Sequence, residues 1–159
     1  ENNYILSTEH GAVMGDEINF IKLINDVIPN YGWPIASYSE HYDSSIKHNK
    51  SIYKNYPLYK SHIDYGFIEP IKYFLDSDIE KYGNDGMGIS QIVGIGDQNY
   101  IFATMNEKSL YFFTLSDEKK IKNLKRIEIG ERIRDIIFKD KRIFLFLENT
   151  ASIGIINYK

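Results

Sequence analysis

The sequence contains no cysteine among its 159 residues. This absence excludes disulfide bonds, thiolate nucleophiles and cysteine-ligated zinc sites. A chain without thiols fits an oxidising compartment, and it fits the cytosol nearly as well. Long hydrophobic runs are also lacking: none approaches the roughly 18 apolar residues that cross a bilayer, so we expect no membrane span. The net charge of -3 argues against a nucleic-acid partner held mainly through phosphate contacts.

Alanine is scarce, and no segment shows the period of a long amphipathic helix. The chain instead has 13 tyrosines and 9 phenylalanines, which favour strands, and its length suits one domain. It begins with Glu1 in place of Met and shows no signal peptide. We therefore expect a processed chain, a tagged and trimmed chain, or a fragment.

Short β-rich runs separated by polar turn signals fill the second half of the sequence. They are Ile89–Gly94, Tyr100–Met105, Ser109–Leu115, Leu124–Ile129, Ile133–Phe138, Arg142–Leu147 and Ser152–Asn157. Their even spacing predicts an antiparallel meander of four strands, followed by three strands of a second unit. Propeller blades have four strands, so the missing strand is expected from sequence upstream of Glu1. A three-strand sandwich fragment is the alternative.

The first half is more irregular. Asn3–Ser7 and Glu17–Leu23 are candidate strands, and Pro29–Tyr38 is a turn-rich connection that contains Trp33 and Pro34. We interpret Trp33 as a core tryptophan beside a turn proline. The polar, aperiodic segment 42–68 is typical of a functional loop. Three histidines are interpreted as surface residues: His48 and His62 in this segment, and His41 just before it.

A polar loop near the start combines glycines with acidic groups. Gly11 and Gly15 allow the backbone to approach a ligand closely, and main-chain carbonyls in such a loop suit calcium. Asp16 and Glu17 add carboxylates, and His10 adds a group that donates or accepts a hydrogen bond. The alternative is a solvated hairpin loop whose two carboxylates face water.

Two arginines lie near the start of a predicted strand. Residues two apart in a strand project to the same face, so we expect Arg132 and Arg134 to point together. Two adjacent guanidinium groups suit a ligand that carries carboxylates. The alternative is a surface pair balanced by Glu131 and Asp135.

Three motifs in this order resemble a known family. Residues 9–19 read EHGAVMGDEIN, residues 30–34 read NYGWP, and residues 132–135 read RIRD. The chain thereby resembles the soluble PQQ-dependent glucose/sorbosone (aldose sugar) dehydrogenases. That family typically reads E-[HQ]-G-P-x-x-[GD]-D-E-[IL]-N, then N-Y-G-W-P, and later R-[IY]-R-D.

The resemblance implies an all-β fold, the C-terminal blades of a six-bladed β-propeller with PQQ and calcium at its axial mouth. The partial propeller would comprise a loop-rich blade at about 1–88, a four-stranded blade at about 89–130 and three strands of the closing blade at about 131–159. The activity implied is oxidation of an aldose at C1 in the periplasm or outside the cell. The partner implied is the missing propeller half, or an oligomer partner that replaces it.

The resemblance also implies roles for individual residues. The expected cofactor-binding residues are His10, Asp16, Asn106, Arg132 and Arg134, and the expected calcium ligands are the carbonyls of Gly11 and Ala12. Ala12 stands where the family has proline, and Asn106 stands where a lysine usually contacts the quinone. The segment Phe74–Met87 has no clear form of the family's W-P-[ST] element.

The family's catalytic histidine belongs to the upstream part. No catalytic residue is therefore expected in this chain, which alone should not oxidise a sugar. A propeller-derived binding module without catalysis is the alternative function, and a free-standing β-sandwich without a site is a third reading.

Overall fold

The computed structural model describes residues 3–23, 28–39, 62–75 and 86–158. Within these ranges the chain forms ten β-strands in three antiparallel sheets and one short 3-10 helix, Ile63–Tyr65. None of the helical structure described is long and apolar enough to cross a membrane. The chain divides into two compact units, Glu1–Gly86 and Met87–Lys159. The predicted features His41 and His48, and most of the segments 42–68 and 74–87, lie outside the described residues.

The first unit contains a three-stranded sheet of order β1-β2-β3. Its strands are β1 (Tyr4–Glu9), β2 (Asp16–Lys22) and β3 (Lys72–Phe74). The central strand pairs Glu17 with Glu9 on one side and Asp16 with Phe74 on the other. The acidic end of β2 therefore lies inside the sheet. The sequence did not predict β3, since three residues are too short for a period-two pattern.

The second unit begins with a four-stranded sheet of order β4-β5-β6-β7. Its strands are β4 (Ile89–Gly96), β5 (Asn99–Thr104), β6 (Ser109–Leu115) and β7 (Ile121–Glu128). The turn between β4 and β5 has positive φ at both Asp97 (49°) and Gln98 (59°), as in the turns that match the twist of a hairpin. The predicted four-stranded meander is confirmed. The strand β7 begins at Ile121, three residues before the predicted start at Leu124, because the polar residues Lys122 and Asn123 hid this part of the strand from the sequence pattern.

The second sheet of this unit has the order β10-β9-β8. Its strands are β8 (Ile133–Lys139), β9 (Arg142–Leu147) and β10 (Ser152–Asn157). The register between β8 and β9 shifts between Ile133 and Asp135, so Arg134 is the extra residue of a β-bulge. A β-bulge changes the direction in which the side chain of its extra residue points. This bulge lies at the start of β8, where Arg132 and Arg134 are close together.

The two sheets of the second unit share one apolar core. Its fully buried members are Ile101, Ala103, Leu110, Ile133, Ile136, Ile143 and Leu145. Neighbouring residues of β5 point to opposite faces, yet Phe102 is also 0% exposed and stacks on Tyr111 with ring centroids 4.7 Å apart. β5 is therefore buried on both faces, which makes it a rigid support for the residues that follow it.

The sheet of β8, β9 and β10 has a second apolar face that is open to solvent. Ile137, Phe144 and Ile155 form one cross-strand row, and Phe146 and Ile153 belong to the next row. Ile137, Ile153 and Ile155 are 45%, 59% and 58% exposed. Side chains at alternate positions of a strand share a face, so these residues form a continuous apolar surface opposite the core.

Candidate functional site

The glycine-containing loop of the first unit connects β1 to β2 and is fixed by the first residue of β2. The Asp16 carboxylate accepts a hydrogen bond from the Gly11 backbone N–H at 2.9 Å. The Nδ1 atom of His10 lies 3.9 Å from the other carboxylate oxygen of Asp16. The Gly15 N–H donates to the carbonyl of Phe74 at 2.9 Å. The loop is thus held at both ends by β2 and β3.

Gly11 occupies a place where a side chain does not fit. A Cβ atom built on Gly11 would lie 1.7 Å from the carbonyl oxygen of Met14 and 2.8 Å from the Cβ atom of Ser39. Gly86 approaches the same loop, because its Cβ would lie 2.9 Å from the carbonyl oxygen of Val13. The main-chain carbonyls of Met14 and Val13 therefore pack closely against Gly11 and Gly86, and Gly11 lies where only glycine fits.

The acidic residues at the start of β2 are buried, so the solvated-loop alternative is wrong. Asp16 is 2% exposed and Glu17 is 5% exposed. Neighbouring loops cover them, since the Gly11 N–H donates to Asp16 and the Tyr38 N–H donates to Glu17 Oε1 at 3.5 Å. Burial first, and then the charges of Glu9 and Glu69, together raise the pKa of Glu17 to about 7, against the lowering effect of hydrogen bonds from Tyr38 and Asn19.

Tyr38 connects these buried groups with a second carboxylate. Its hydroxyl donates to Glu69 Oε2 at 2.7 Å, and its ring stacks on Tyr73 with centroids 3.7 Å apart. Burial, and then the bond to Glu69, raise the pKa of Tyr38 above its usual value, so the phenol stays a donor. His62 Nδ1 lies 3.7 Å from the same Glu69 oxygen.

Two predictions for the first unit are wrong. His62 is 0% exposed and is not a surface histidine, because it packs beneath Tyr38 with ring centroids 5.4 Å apart. Trp33 is 56% exposed and is not a core residue. The N–H groups of Ile35 and Ala36 both bond the Gly32 carbonyl, so the chain turns at Trp33 and buries Ala36 in its place.

In the second unit, the two arginines meet on one carboxylate. Arg132 Nε donates to Glu148 Oε2 at 2.9 Å, and Arg134 Nε lies 3.1 Å from the same oxygen. Arg134 Nη2 donates to Glu148 Oε1 at 3.4 Å. The expected side-by-side placement of the two guanidinium groups is therefore present. Hydrogen bonding from Arg132, and the charges of both arginines, lower the pKa of Glu148.

The residues that follow β5 contact the same guanidinium groups. Arg132 Nη1 donates to Asn106 Oδ1 at 2.6 Å. The sulfur of Met105 lies 3.7 Å from Arg132 Nη2 and 3.3 Å from Arg134 Nη1. Backbone bonds from Met105 to Gly88 and from Asn106 to Met87 fix this turn. Asn106 thus lies beside Arg132, as expected for one site.

The carboxylate that joins the arginines is not one that the sequence predicted. Glu131 instead accepts hydrogen bonds from Thr150, and Asp135 accepts one from the backbone N–H of Ile136. Glu148 lies between the predicted strands Arg142–Leu147 and Ser152–Asn157, where the sequence assigned it no role. A signal existed, because a two-residue turn at Asp140 and Lys141 places the residues after Leu147 opposite the start of β8.

The donor sets of the two units suit different ligands. Within the described ranges, no group of three or more histidine, aspartate or glutamate side chains converges to hold a metal ion. A cation in the first unit would therefore depend largely on main-chain carbonyls, which fits the close packing at Gly11. The arginine pair already surrounds a carboxylate, so it fits an anion that bears carboxylates.

Comparison with solved structures identifies similar folds. A soluble aldose sugar dehydrogenase from Escherichia coli in its apo form is 20% identical, with a TM-score of 0.68, over 96% of this chain and 40% of its own. A crystal structure of a glucose dehydrogenase is 22% identical, with a TM-score of 0.66, over 98% and 41%. The PQQ-bound aldose sugar dehydrogenase of Streptomyces coelicolor is 19% identical, with a TM-score of 0.54, over 93% and 35%.

These likenesses confirm the expected fold class, the blades of a β-propeller built from antiparallel sheets. The chain spans about two fifths or less of the length of each of these structures. No curated protein sequence gives a significant match. The family model described as glucose/sorbosone dehydrogenase matches residues 1–156, which is nearly the whole chain. The chain therefore belongs to the glucose/sorbosone dehydrogenase family.

Proposed function

We propose that the protein containing this chain oxidises an aldose sugar at C1, with PQQ as redox cofactor and calcium as a second cofactor. The observation that carries this proposal is the convergence of Arg132 and Arg134 on a single carboxylate. Planar guanidinium groups donate to carboxylates in pairs, so this arrangement suits a quinone that bears carboxylates. Family membership supports the proposal, as does the similar fold of a PQQ-bound dehydrogenase.

In the second unit, Arg132 and Arg134 would bind carboxylates or redox oxygens of PQQ. Asn106 would add a neutral hydrogen-bonding group, and its bond to Arg132 at 2.6 Å also directs that guanidinium group. A lysine at this position would add a positive charge that asparagine does not supply. The amide therefore makes the site less attractive to an anion, and we expect weaker PQQ binding than a lysine would give.

In the first unit, the carbonyls of Gly11 and Ala12 would hold calcium, with His10 and Asp16 beside the cofactor. The bond from Gly11 to the buried Asp16 carboxylate fixes the backbone that carries both carbonyls. A carbonyl belongs to the main chain whatever its side chain, so Ala12 serves where the family has proline. Alanine leaves φ less restricted, which makes the Asp16 bond more important.

The chemistry divides between this chain and the rest of the protein. When bound, PQQ supplies the two-electron oxidant that accepts a hydride from C1 of the sugar. The residues of this chain bind and orient it, and we assign the base that removes the hydroxyl proton to a region outside these 159 residues. The chain alone should therefore not oxidise a sugar. A periplasmic or secreted location is proposed from the family resemblance.

The open apolar face of the last sheet supports a structural partner for this chain. Ile153 and Ile155 on β10 are each more than half exposed, and Ile155 lies in the same cross-strand row as Ile137. Propeller blades pack face to face through such apolar surfaces. We propose that the missing blades of the same ring, or an oligomer partner, cover this face.

Titration of PQQ into the full-length protein, with and without calcium, tests the proposed function. We expect PQQ binding, a rise in thermal stability that requires calcium, and dye-linked oxidation of aldoses. Arg132→Gln and Arg134→Gln should weaken PQQ binding, while Arg142→Gln, at the exposed start of β9, should not. Full-length protein that shows neither PQQ binding nor calcium-dependent stabilisation would refute the proposal.

A propeller-derived binding module without catalysis is the second candidate. The neutral Asn106 favours it, because the arginine cluster then lacks one positive charge that the family normally supplies. The arginine variants separate the two functions. A quinone enzyme loses cofactor affinity when Arg132 or Arg134 is replaced, whereas a binding module that uses another surface is unaffected.

A further inference from the structure

We infer that Glu148 is a positioning residue that holds Arg132 and Arg134 in the orientation needed to bind an external carboxylate, an inference that rests on the proposed PQQ function. Neither the motifs nor the family resemblance assigns a role to Glu148. Its carboxylate is the common acceptor for both guanidinium groups. Two guanidinium groups this close repel one another unless an anion lies between them. Glu148 supplies that anion from within the chain.

The geometry shows which side of each guanidinium group Glu148 uses. Its Oε2 atom accepts from Arg132 Nε at 2.9 Å and lies 3.1 Å from Arg134 Nε. Its Oε1 atom accepts from Arg134 Nη2 at 3.4 Å. Glu148 thus occupies the Nε edges. Each Nη nitrogen carries two hydrogens, and the contacts among the described residues use one of them, so within that part of the chain further donors remain on the Nη ends.

The backbone holds Glu148 in this place. It directly follows β9, and its N–H donates to the carbonyl of Arg132 at 2.9 Å. Both arginines keep solvent access, since the side chains of Arg132 and Arg134 are 32% and 58% exposed. The Glu148 carboxylate, itself 36% exposed, lies beside two guanidinium groups that keep solvent access. That arrangement orients the donors and leaves a net charge of +1 on the three side chains.

The opposite function would be competition, in which Glu148 occupies the anion site and must leave before a ligand binds. The position of the carboxylate argues against this function. It holds the Nε edges, whereas among the residues that the structure describes the Nη groups keep donors for another anion. The two functions predict opposite effects when the charge of Glu148 is removed. Positioning predicts weaker PQQ binding, and competition predicts tighter binding.

The test is the dissociation constant of PQQ, measured calorimetrically on the full-length protein and its variants. We expect Glu148→Gln to weaken binding about tenfold, a coupling common within one ion-pair network, and Glu148→Asp to weaken it less. Glu118→Gln is the matched control, because Glu118 is an exposed glutamate of the same unit that pairs with Lys120 at 3.2 Å. It should leave the constant unchanged.

A double-mutant cycle separates positioning from general damage. If Glu148 acts through Arg134, then Glu148→Gln should cost clearly less affinity in an Arg134→Gln background than alone. Equal costs in both backgrounds, or unchanged or tighter PQQ binding by Glu148→Gln, would overturn the inference. Failure of the wild-type protein to bind PQQ would instead overturn the proposed function, and the inference with it. Circular dichroism of each variant verifies that the fold is retained.

Discussion

The two groups of candidate site residues are built from different parts of the chain. In the first unit, the loop that begins at His10 is fixed by a buried carboxylate, Asp16, and by close backbone packing at Gly11. In the second unit, Glu148 joins the half-buried Arg132 to the exposed Arg134. Buried polar groups are costly to disturb, whereas exposed ion pairs contribute little to stability. We therefore expect substitutions in the first unit to lower the free energy of unfolding, and substitutions of the arginines in the second unit to lower ligand affinity with little effect on stability.

Gly11→Ala should have the largest effect. The new Cβ atom would lie 1.7 Å from the carbonyl oxygen of Met14, so the backbone must move. We expect a loss of more than about 3 kcal/mol in the free energy of unfolding, measured by urea denaturation. Gly94→Ala is the control, because its Cβ would meet only the ring of Tyr100 at 3.5 Å. Equal small losses for both variants would contradict the close packing of the loop.

The buried Glu17 should make stability depend on pH. Its pKa is raised from 4.5 to about 7, so between these values the folded protein keeps a proton that the unfolded chain has released. The free energy of unfolding should therefore fall as pH rises, by about 2 kcal/mol between about pH 5.5 and 7.5. Urea denaturation across this range measures the slope.

Replacement of Glu17 should remove this dependence. Glutamine keeps the size of the side chain but does not titrate, so Glu17→Gln should flatten the decline of stability with pH. The exposed Glu118, changed to glutamine, should leave the decline as in the wild type. A slope that survives in Glu17→Gln would assign the pH dependence to another group.

Tyr38→Phe should have a moderate effect in the same unit. It removes the hydroxyl that donates to Glu69 at 2.7 Å, and it keeps the ring that stacks on Tyr73. We expect a loss of about 1 kcal/mol in the free energy of unfolding. Tyr73→Phe is the control, because in the described part of the chain the Tyr73 hydroxyl makes no hydrogen bond. Similar losses for both variants would show that the Glu69 bond adds nothing.

The sequence predicted the strands of the second unit well, because period-two alternation and two-residue turns are local signals. Asp140 and Lys141 form such a turn, and it sets the register of β8 against β9. The bulge at Arg134 then shifts that register by one residue. A shift of this kind depends on tertiary packing, so the local turn signal placed Glu148 near the start of β8 but did not show that its carboxylate joins the two arginines.

The first unit was less predictable, because contacts between segments distant in sequence determine it. His62 is buried beneath Tyr38, a ring 24 positions earlier, which no local pattern indicates. The sequence left open whether Glu17 faces water, because the contact that covers it comes from the distant Tyr38. The motif of residues 9–19 located the loop, but not the burial that makes it rigid.

Arg134→Gln should have the smallest effect on stability, which makes it the sharpest test of the contrast between the units. Its side chain is 58% exposed and its partner Glu148 is 36% exposed, so water and salt screen their attraction. We expect the free energy of unfolding to change by less than about 0.5 kcal/mol in urea denaturation, at low and at high salt alike.

PQQ affinity should fall in the same variant, because the lost donors face solvent and ligand. Arg142→Gln, equally removed from the core, should change neither quantity. A loss of stability as large as that of Tyr38→Phe would show that the arginine cluster supports the fold, and the separation of binding from stability would then be wrong.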